Sequence, residues 1–351
     1  MNIDRESNKS SNIAFHASDL AVREVAGSVS GEGWRQLMAP LFETNKADIP
    51  NSPALEGGLS VSIIGDSVIG VSWFSAQHHV RDQRRVVASG LDQYIVQFFL
   101  KGGVRVACGA GEMDVEIGDL LILDLKKVAS IFAPAGGRAV WMILPHALLY
   151  EESSGRNLHG TIVRSSLPLV SLLRQTLLSL HRNASFVSSD EGRGGEAAAI
   201  SLLIGAIAPS RLSPILAAPA LSVVLRRYVI AYIDEFLLDP QLGVEYLVAR
   251  FKVSRAHLYR AFAQDGGVIA MIRDRRLDAA YRELTMGRGD SSGVVTQVAH
   301  KYLFSSSNQF LRAFRARFSC SPSSALHSGG RYHLRNSAEG IFGHFSDLLK
   351  S

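Results

Sequence analysis

The chain has 351 residues, of which 47% are hydrophobic and 20% charged, a composition that excludes disordered and fibrous proteins and leaves room for two globular domains. The longest uncharged apolar run without proline, residues 197–208, has 12 residues, which is too short to cross a bilayer, so no membrane span is expected. The net charge is +5, but residues 221–328 contain 15 Lys and Arg against 9 Asp and Glu, so the basic excess is local.

The N-terminal sequence MNIDRESNKSSN is polar and lacks the apolar core of a secretory signal. We therefore expect a cytoplasmic protein with an N-terminal arm, residues 1–40, that is partly disordered. Cys108 and Cys320 are far apart and fit no metal-ligand spacing, so neither a disulfide nor a zinc site is expected.

Short β-rich runs separated by glycine turns occupy residues 60–144. Strands at intervals of about 8–12 residues are typical of an antiparallel barrel or sandwich. We predict a cupin-like antiparallel β-barrel within a domain that covers residues 41–207.

The hydrophobic period changes at about residue 167. Leucines spaced along one helical stripe predict a helix, and a polar loop, SSDEGRGGE, precedes a second helix over 196–207. The two helices are expected to form a hairpin whose apolar stripe is either intramolecular core or a dimer contact.

Three prolines, Pro209, Pro214 and Pro219, mark residues 208–220 as a linker between domains. Everything beyond it has a helical pattern, so the predicted fold class is α+β with an all-α C-terminal domain over 221–328. The tail, 329–351, contains a short amphipathic helix. We expect it to pack back onto the body, with partner binding as the alternative.

The all-α part contains a repeated pattern. LYRAF at 258–262 recurs as FLRAF at 310–314, and each segment follows a serine, Ser254 or Ser305, that comes after an apolar turn residue. A short predicted helix lies upstream of each serine. The order of helix, turn, N-capping serine and helix is typical of a helix-turn-helix, here in duplicate.

A period of 3.6 residues separates two faces of each second helix. Leu258, Phe262, Phe310 and Phe314 are expected to face inward, whereas the outward side chains are mostly short polar or arginine residues suited to phosphates and base edges. The predicted DNA-contacting residues are Ser254, Arg255, Ala256, Tyr259, Arg260, Ser305, Ser306, Ser307, Asn308, Arg312 and Arg315.

Residues 221–328 resemble the DNA-binding domain of the AraC/XylS transcriptional regulators, from LGVEYLVARFKVSRAHLYRAF to VTQVAHKYLFSSSNQFLRAFRARFSCSP. The segment Glu116–Asp119 and the strand spacing around it resemble the cupin-type sensor domain of that family. The resemblance implies two recognition helices in successive major-groove segments, a small aromatic or carboxylate effector, a possible homodimer, and activation by contact with RNA polymerase.

The sequence departs from the family pattern in both turns. Family members usually have glycine before the recognition-helix serine, but here the positions hold Lys252 and Leu303. A non-glycine residue in a left-handed conformation costs about 1–2 kcal/mol, so we expect either strained or reshaped turns.

Six residues of the sensor domain are candidate effector contacts, because guanidinium groups pair with carboxylates and aromatic rings line apolar pockets. His78 and His79 lack the HxH spacing of a metal cupin, and no nucleotide-binding motif is present, so no metal, cofactor or catalytic residue is predicted. The candidate effector residues are Arg81, Arg84, Trp73, Tyr94, Phe98 and Trp141.

The sequence thus predicts a non-enzymatic regulator that binds double-stranded DNA. Three alternatives remain open. The first is a cupin-type metal enzyme and the second is a sugar- or small-molecule-binding protein, each with an accessory helical interaction domain. The third is a pure interaction module whose helical repeat docks protein.

Overall fold

The structure, a computed structural model, describes residues 24–109, 111–150, 157–208, 220–286, 293–328 and 338–350. The predicted linker lies almost wholly outside these residues, as does the expected arm up to residue 23. The remainder of that arm contains a strand and a helix.

The described residues of the N-terminal part combine antiparallel strands with α-helices. Its helices are α1 (Glu32–Met38), α2 (Gln83–Ser89), α3 (His146–Tyr150), α4 (Pro168–Asn183) and α5 (Ser189–Ala206). Its strands are β1 (Glu24–Ser30), β2 (Glu43–Lys46), β3 (Glu56–Ile64), β4 (Ser67–Phe74), β5 (Gln77–Arg81), β6 (Gln93–Lys101), β7 (Val104–Cys108), β8 (Gly111–Val115), β9 (Leu120–Asp124), β10 (Ala129–Ala133), β11 (Gly137–Pro145) and β12 (Thr161–Val163).

The strands form two sheets. One has the order β1-β3-β4-β11-β6-β9-β12 and the other β2-β5-β10-β7-β8, and the strand pairs within both are antiparallel. The α+β class predicted from the sequence is confirmed. Within the described residues the two sheets are separate and pack face to face around a shared core, so the strand ladder does not close into one barrel.

The seven-stranded sheet is buried on both faces. Along β6, Ile95 and Phe99 point toward the smaller sheet, whereas Tyr94, Val96 and Phe98 point to the opposite face. This alternation follows from the two-residue period of a strand. Burial on both faces explains why β6 has an almost continuous apolar sequence.

The hairpin of α4 and α5 covers the outer face of that sheet. Leu173, Leu177 and Leu203 lie in one core with Val96 and Phe98, so much of the helical stripe is intramolecular core. The prediction of a loop at SSDEGRGGE was wrong, because Ser188 and Glu191 close a capping box that starts α5 at Ser189.

The C-terminal part is helical. Its helices are α6 (Ala220–Glu235), α7 (Val244–Phe251), α8 (Arg255–Ala261), α9 (Val268–Met286), α10 (Val294–Lys301), α11 (Ser307–Phe318), α12 (Pro322–Ser328) and α13 (Ala338–Lys350).

Helix α9 belongs to two separate cores. Val268 and Ile272 at its start pack with α7 and α8, while Leu277, Tyr281 and Leu284 pack with α10 and α11. The predicted inward residues Leu258, Phe262, Phe310 and Phe314 all have 0% exposure. The predicted helical phase is therefore correct in both copies.

Helices α2 and α13 both join the N-terminal and C-terminal parts. Val87 of α2 is buried in the core that contains Tyr281 and Phe314. Conversely, helix α13 of the C-terminal part packs into the N-terminal part, because its residues Ile341 and Phe345 are buried in the core between the two sheets. The C-terminal tail thus returns to the body, as its amphipathic pattern predicts.

We expect Phe314→Ala to destabilise the second helix-turn-helix unit by about 3–5 kcal/mol, since it leaves a cavity against Tyr281 and Phe318. Urea unfolding followed by circular dichroism measures the change. Arg312→Ala on the exposed face of the same helix is the matched control and should change stability by less than about 0.5 kcal/mol. Equal midpoints for the two variants would contradict the packing described.

Candidate functional site

The first candidate DNA-contacting unit consists of α7, a short turn and α8. Lys252 ends α7 with φ 51° and ψ 43°, a left-handed conformation, and the Ser254 hydroxyl then caps α8 by accepting the His257 N–H at 3.2 Å. The chain keeps the turn geometry that glycine would favour. Lys252 adopts it despite its Cβ.

The second unit, α10 to α11, has the same geometry with one more residue in the turn. Leu303 is left-handed with φ 62°. The cap of α11 is Ser306, whose hydroxyl accepts the Gln309 N–H at 3.2 Å, so the predicted cap Ser305 was wrong. Ser305 donates its hydroxyl instead to Gln309 Oε1 at 2.7 Å.

The corrected cap puts the two copies in register. Leu258 and Phe310 are each the fourth residue after the cap, and Arg260 and Arg312 are each the sixth. Of the predicted DNA-contacting residues, Ser307 is partly exposed and all the others are exposed. The structure therefore presents matched polar faces at the starts of α8 and α11.

Ion pairs divide the arginines and lysines of this region into two groups. Lys301 pairs with Glu283, Arg317 with Asp274 and Asp278, and Arg255 with Glu245. Arg317 is packed into the domain, and its aspartates raise its pKa against the opposing effect of burial.

The second group faces outward. Arg260, Arg312 and Arg315 are exposed, and none of them makes an ion pair with a residue that the structure describes. Unpaired guanidinium groups are available to phosphates and to the acceptor edge of guanine. Two of the three occupy the matched position on the two recognition helices.

Residues 247–328 match the family of helix-turn-helix domains. The match agrees with the two helix-turn-helix units of the structure and confirms the resemblance of this segment to AraC-type regulators that the sequence predicts.

The chain is also similar to solved structures of AraC-like proteins. The AraC-like transcriptional activator CuxR has 19% identity and a TM-score of 0.48, with 74% of this chain and 96% of that chain covered. ToxT from Vibrio cholerae O395 has 9% identity and a TM-score of 0.40, with 88% and 97% covered. A probable AraC family regulator from Rhodopseudomonas palustris has 28% identity and a TM-score of 0.27, with 31% and 98% covered.

A cavity of about 50 Å³ lies between the two sheets of the N-terminal part. The rings of Trp34 and Trp141 form two of its walls, and they lie directly against Gly57 and Gly70, where a Cβ would collide with the indoles. The other lining residues are mostly apolar. They include Met38, Leu41, Phe42, Leu59, Phe74, Ile95, Phe99, Val104, Ile131 and Phe345, with Ser72, His79 and Gln97 as polar members.

Of the six candidate effector residues, Trp141 alone lines this cavity. Tyr94 and Phe98 are on the opposite face of β6, and Trp73 is 43% exposed while its neighbour Phe74 lines the cavity. Side chains of a strand alternate between its two faces, and residue type alone does not show which set faces the cavity. That alternation puts Tyr94, Phe98 and Trp73 outside it.

The two candidate arginines, Arg81 and Arg84, are bonded to other groups of the protein and do not line the cavity. Arg81 is buried and donates five hydrogen bonds, to the carbonyls of Pro40, Leu41 and Leu125 and to the Ser89 hydroxyl. Burial lowers its pKa to about 9. Arg84 lies on the surface of α2, where its Nε is 2.7 Å from Asp82 Oδ2.

A neutral hydrogen-bond chain includes two residues that line the cavity, Trp34 and His79. Trp34 Nε1 donates to Gln77 Oε1 at 2.8 Å, so the Gln77 amide nitrogen is left to donate to His79 Nε2, also at 2.8 Å. His79 Nδ1 therefore carries the proton and donates to Thr44 Oγ1 at 2.8 Å. Burial, together with the neighbouring His78, lowers the pKa of His79 to about 3.

Two features are absent from the part of the chain that the structure describes. No three His, Cys, Asp or Glu side chains come together as metal ligands there. Nor is any of the described helices both long and apolar enough to span a membrane.

We expect Lys252→Gly to stabilise the first unit by about 0.5–1 kcal/mol. Glycine removes the cost of the left-handed backbone in the folded state, and this gain is larger than the loss from the greater conformational entropy of glycine in the unfolded chain. The urea midpoint of the full-length protein measures the gain. Lys252→Ala keeps the Cβ and is the control. A gain of equal size in Lys252→Ala would show that the backbone conformation is not the cause.

Acid should destabilise the N-terminal part through His79. Between pH 6.5 and pH 3 the unfolded chain binds a proton at His79 that the folded chain excludes, so the free energy of unfolding decreases by about 1.4 kcal/mol per unit of falling pH. His79→Gln removes this titration and should flatten the slope over that range. Parallel pH profiles for the two proteins, measured by urea unfolding, would refute the neutral buried ring.

Proposed function

We propose that this protein is a sequence-specific DNA-binding transcription regulator, in which the helix-turn-helix domain reads DNA and the N-terminal domain binds a small effector. The observation that carries the proposal is the matched pair Arg260 and Arg312. Both side chains are exposed, make no ion pair with a described residue, and occupy the sixth position after the cap.

The geometry of α9 supports simultaneous docking of both units. A helix of 19 residues is about 28 Å long, which is close to the roughly 34 Å of one turn of B-DNA. The two units pack at opposite ends of this helix, so α8 and α11 reach successive major-groove segments on one face of a duplex.

The side chains divide into two roles. Arg260 and Arg312 contact guanine edges, where a bidentate guanidinium specifies the base. Ser254 and Ser306, at the helix N-termini, lie beside backbone N–H groups that bind phosphate, and Arg315 adds a phosphate contact further along α11.

The remaining elements of the proposal come from the family resemblance. They are activation by contact with RNA polymerase and a homodimeric state, and a cytoplasmic location is proposed with them. The domain division is 41–207 for effector binding and 221–328 for DNA binding, with β1 and α1 as further parts of the N-terminal domain.

We expect the full-length protein to bind duplex DNA with an affinity that decreases steeply with salt, because several phosphate contacts release several counterions. The slope of log affinity against log salt should be about −4 or steeper. Fluorescence anisotropy of a labelled duplex measures it. An affinity that does not respond to salt would remove the DNA-binding proposal.

Arg260→Ala and Arg312→Ala should each weaken binding to a duplex selected from a random library by about 1–3 kcal/mol, with little effect on unselected DNA. Both turns keep the same left-handed geometry, so the two variants should behave alike. Arg138→Ala, an exposed arginine of the N-terminal domain, is the control. Unchanged affinity of both variants for the selected site would overturn the recognition surface.

A further inference from the structure

The last helix of the chain fills part of the sensor cavity. Helix α13 follows the helix-turn-helix domain in sequence, yet its residues Ile341, Phe342 and Phe345 are between 1% and 5% exposed in the core of the two-sheet domain. The Phe345 ring lines the cavity, with its centroid 6.0 Å from the Trp141 ring.

A second contact fixes this helix in place. His344 Nε2 is 3.0 Å from the carbonyl oxygen of Leu37 on α1, and burial lowers the pKa of His344. A neutral His344 that donates this hydrogen bond locks the helix against α1. The segment is thus docked by specific polar and apolar contacts and places one aromatic ring in the cavity.

The size of the space suits an aromatic ring. A void on the order of 150 Å³ lined by apolar side chains stays dry and binds benzene. The cavity beside Phe345 has about 50 Å³, and departure of the Phe345 ring would bring it to that order. Phe345 is therefore positioned where a ring of a ligand would lie.

The lining chemistry defines the ligand further. Among the described residues no Lys, Arg, Asp or Glu lines the cavity, and His79 is neutral with both ring nitrogens already bonded. Gln97 is 6% exposed, and its Nε2 has no hydrogen-bond partner among the described residues. A buried donor without a partner is costly, and a ligand acceptor would relieve that cost.

We propose that the cavity binds an uncharged aromatic molecule with one hydrogen-bond acceptor, which bonds Gln97 and displaces the Phe345 ring, so that α13 is a built-in competitor of the effector. The proposal rests on the proposed function of the N-terminal domain as an effector-binding domain. A carboxylate is excluded as the preferred ligand, because the donors of Arg81 are all used elsewhere and no other cation of the part of the chain that the structure describes lines the space.

The arrangement gives the effector a route to the DNA-binding domain. Docked α13 ties the C-terminal end of that domain to the sensor. Ligand and α13 compete for one space, so ligand binding weakens the docking of α13 and a firmly docked α13 weakens ligand binding by the same factor.

The first test uses full-length protein with acetophenone, an uncharged aromatic ketone, and benzoate as its charged counterpart. Titration calorimetry should show acetophenone binding at least tenfold more tightly than benzoate. Phe345→Ala should bind acetophenone at least tenfold more tightly than wild type, and Phe345→Leu should lie between them. Preference for benzoate, or no binding of acetophenone to any of the three proteins, would overturn the proposal.

Hydrogen exchange of the wild-type protein tests whether the ligand competes with α13. It distinguishes that competition from tighter binding that arises only because Phe345→Ala enlarges the cavity. Saturating acetophenone should speed amide exchange in residues 338–350 at least tenfold, while exchange in β6 and β11 slows. Unchanged or slower exchange in 338–350 would show that ligand and α13 do not compete, and would overturn the proposal without using a variant.

Gln97→Leu tests the polar contact. It should bind acetophenone and ethylbenzene equally, whereas wild type should prefer acetophenone at least tenfold, and an unchanged preference would remove Gln97 from the site. Salt-dependent DNA binding is measured on the same samples. If the protein gives the expected ligand results but does not bind DNA, the DNA-binding proposal alone is refuted. If it binds DNA but does not give the expected ligand results, the cavity proposal alone is refuted.

Discussion

Helix α9 is the element on which both DNA-contacting units depend, because its apolar residues are divided between two cores. Val268 and Ile272 complete the first core, and Leu277, Tyr281 and Leu284 complete the second. Neither small unit buries enough apolar surface to be stable without it. The same helix therefore stabilises each unit and sets the distance between the two recognition helices.

The arginines and lysines of the C-terminal domain are separated by their partners. Arg317 is held by Asp274 and Asp278 of α9 and fastens α11 to it, and Lys301 pairs with Glu283 of the same helix. These pairs leave fewer unpaired cations on the proposed DNA-contacting surface. Among the described residues, the unpaired arginines that remain there are Arg260, Arg312 and Arg315. They are fewer than the net charge of the segment suggests, because that charge also counts the cations held in ion pairs.

The cavity of the N-terminal domain is lined mostly by apolar side chains, and none of the described residues that line it is a Lys, Arg, Asp or Glu. The buried Arg81 of this domain is bound by backbone carbonyls away from the cavity, where it links β5 to the end of α2 through Ser89. Val87 on α2 in turn packs into the second helix-turn-helix core. The domain that holds the cavity thus contacts the helix-turn-helix domain at α2, and it also packs against α13, which follows that domain in sequence.

The sequence determined the elements whose signals are local. The repeated LYRAF and FLRAF segments, with their serines and their 3.6-residue period, were sufficient to predict both helix-turn-helix units and the inward side chains Leu258, Phe262, Phe310 and Phe314. The β-rich runs similarly predicted the antiparallel strands, because alternation and glycine turns are properties of neighbouring residues.

Only the tertiary structure decided which faces of those elements meet. The phase of β6 relative to the second sheet puts Ile95, Gln97 and Phe99 in the cavity and Tyr94 and Phe98 outside it, and a one-residue shift would reverse them. The insertion of Phe345 depends on contacts with residues such as Trp141, far away in sequence. Local sequence fixes a helix and its apolar stripe, whereas the partner of that stripe is fixed by the packing of the whole chain.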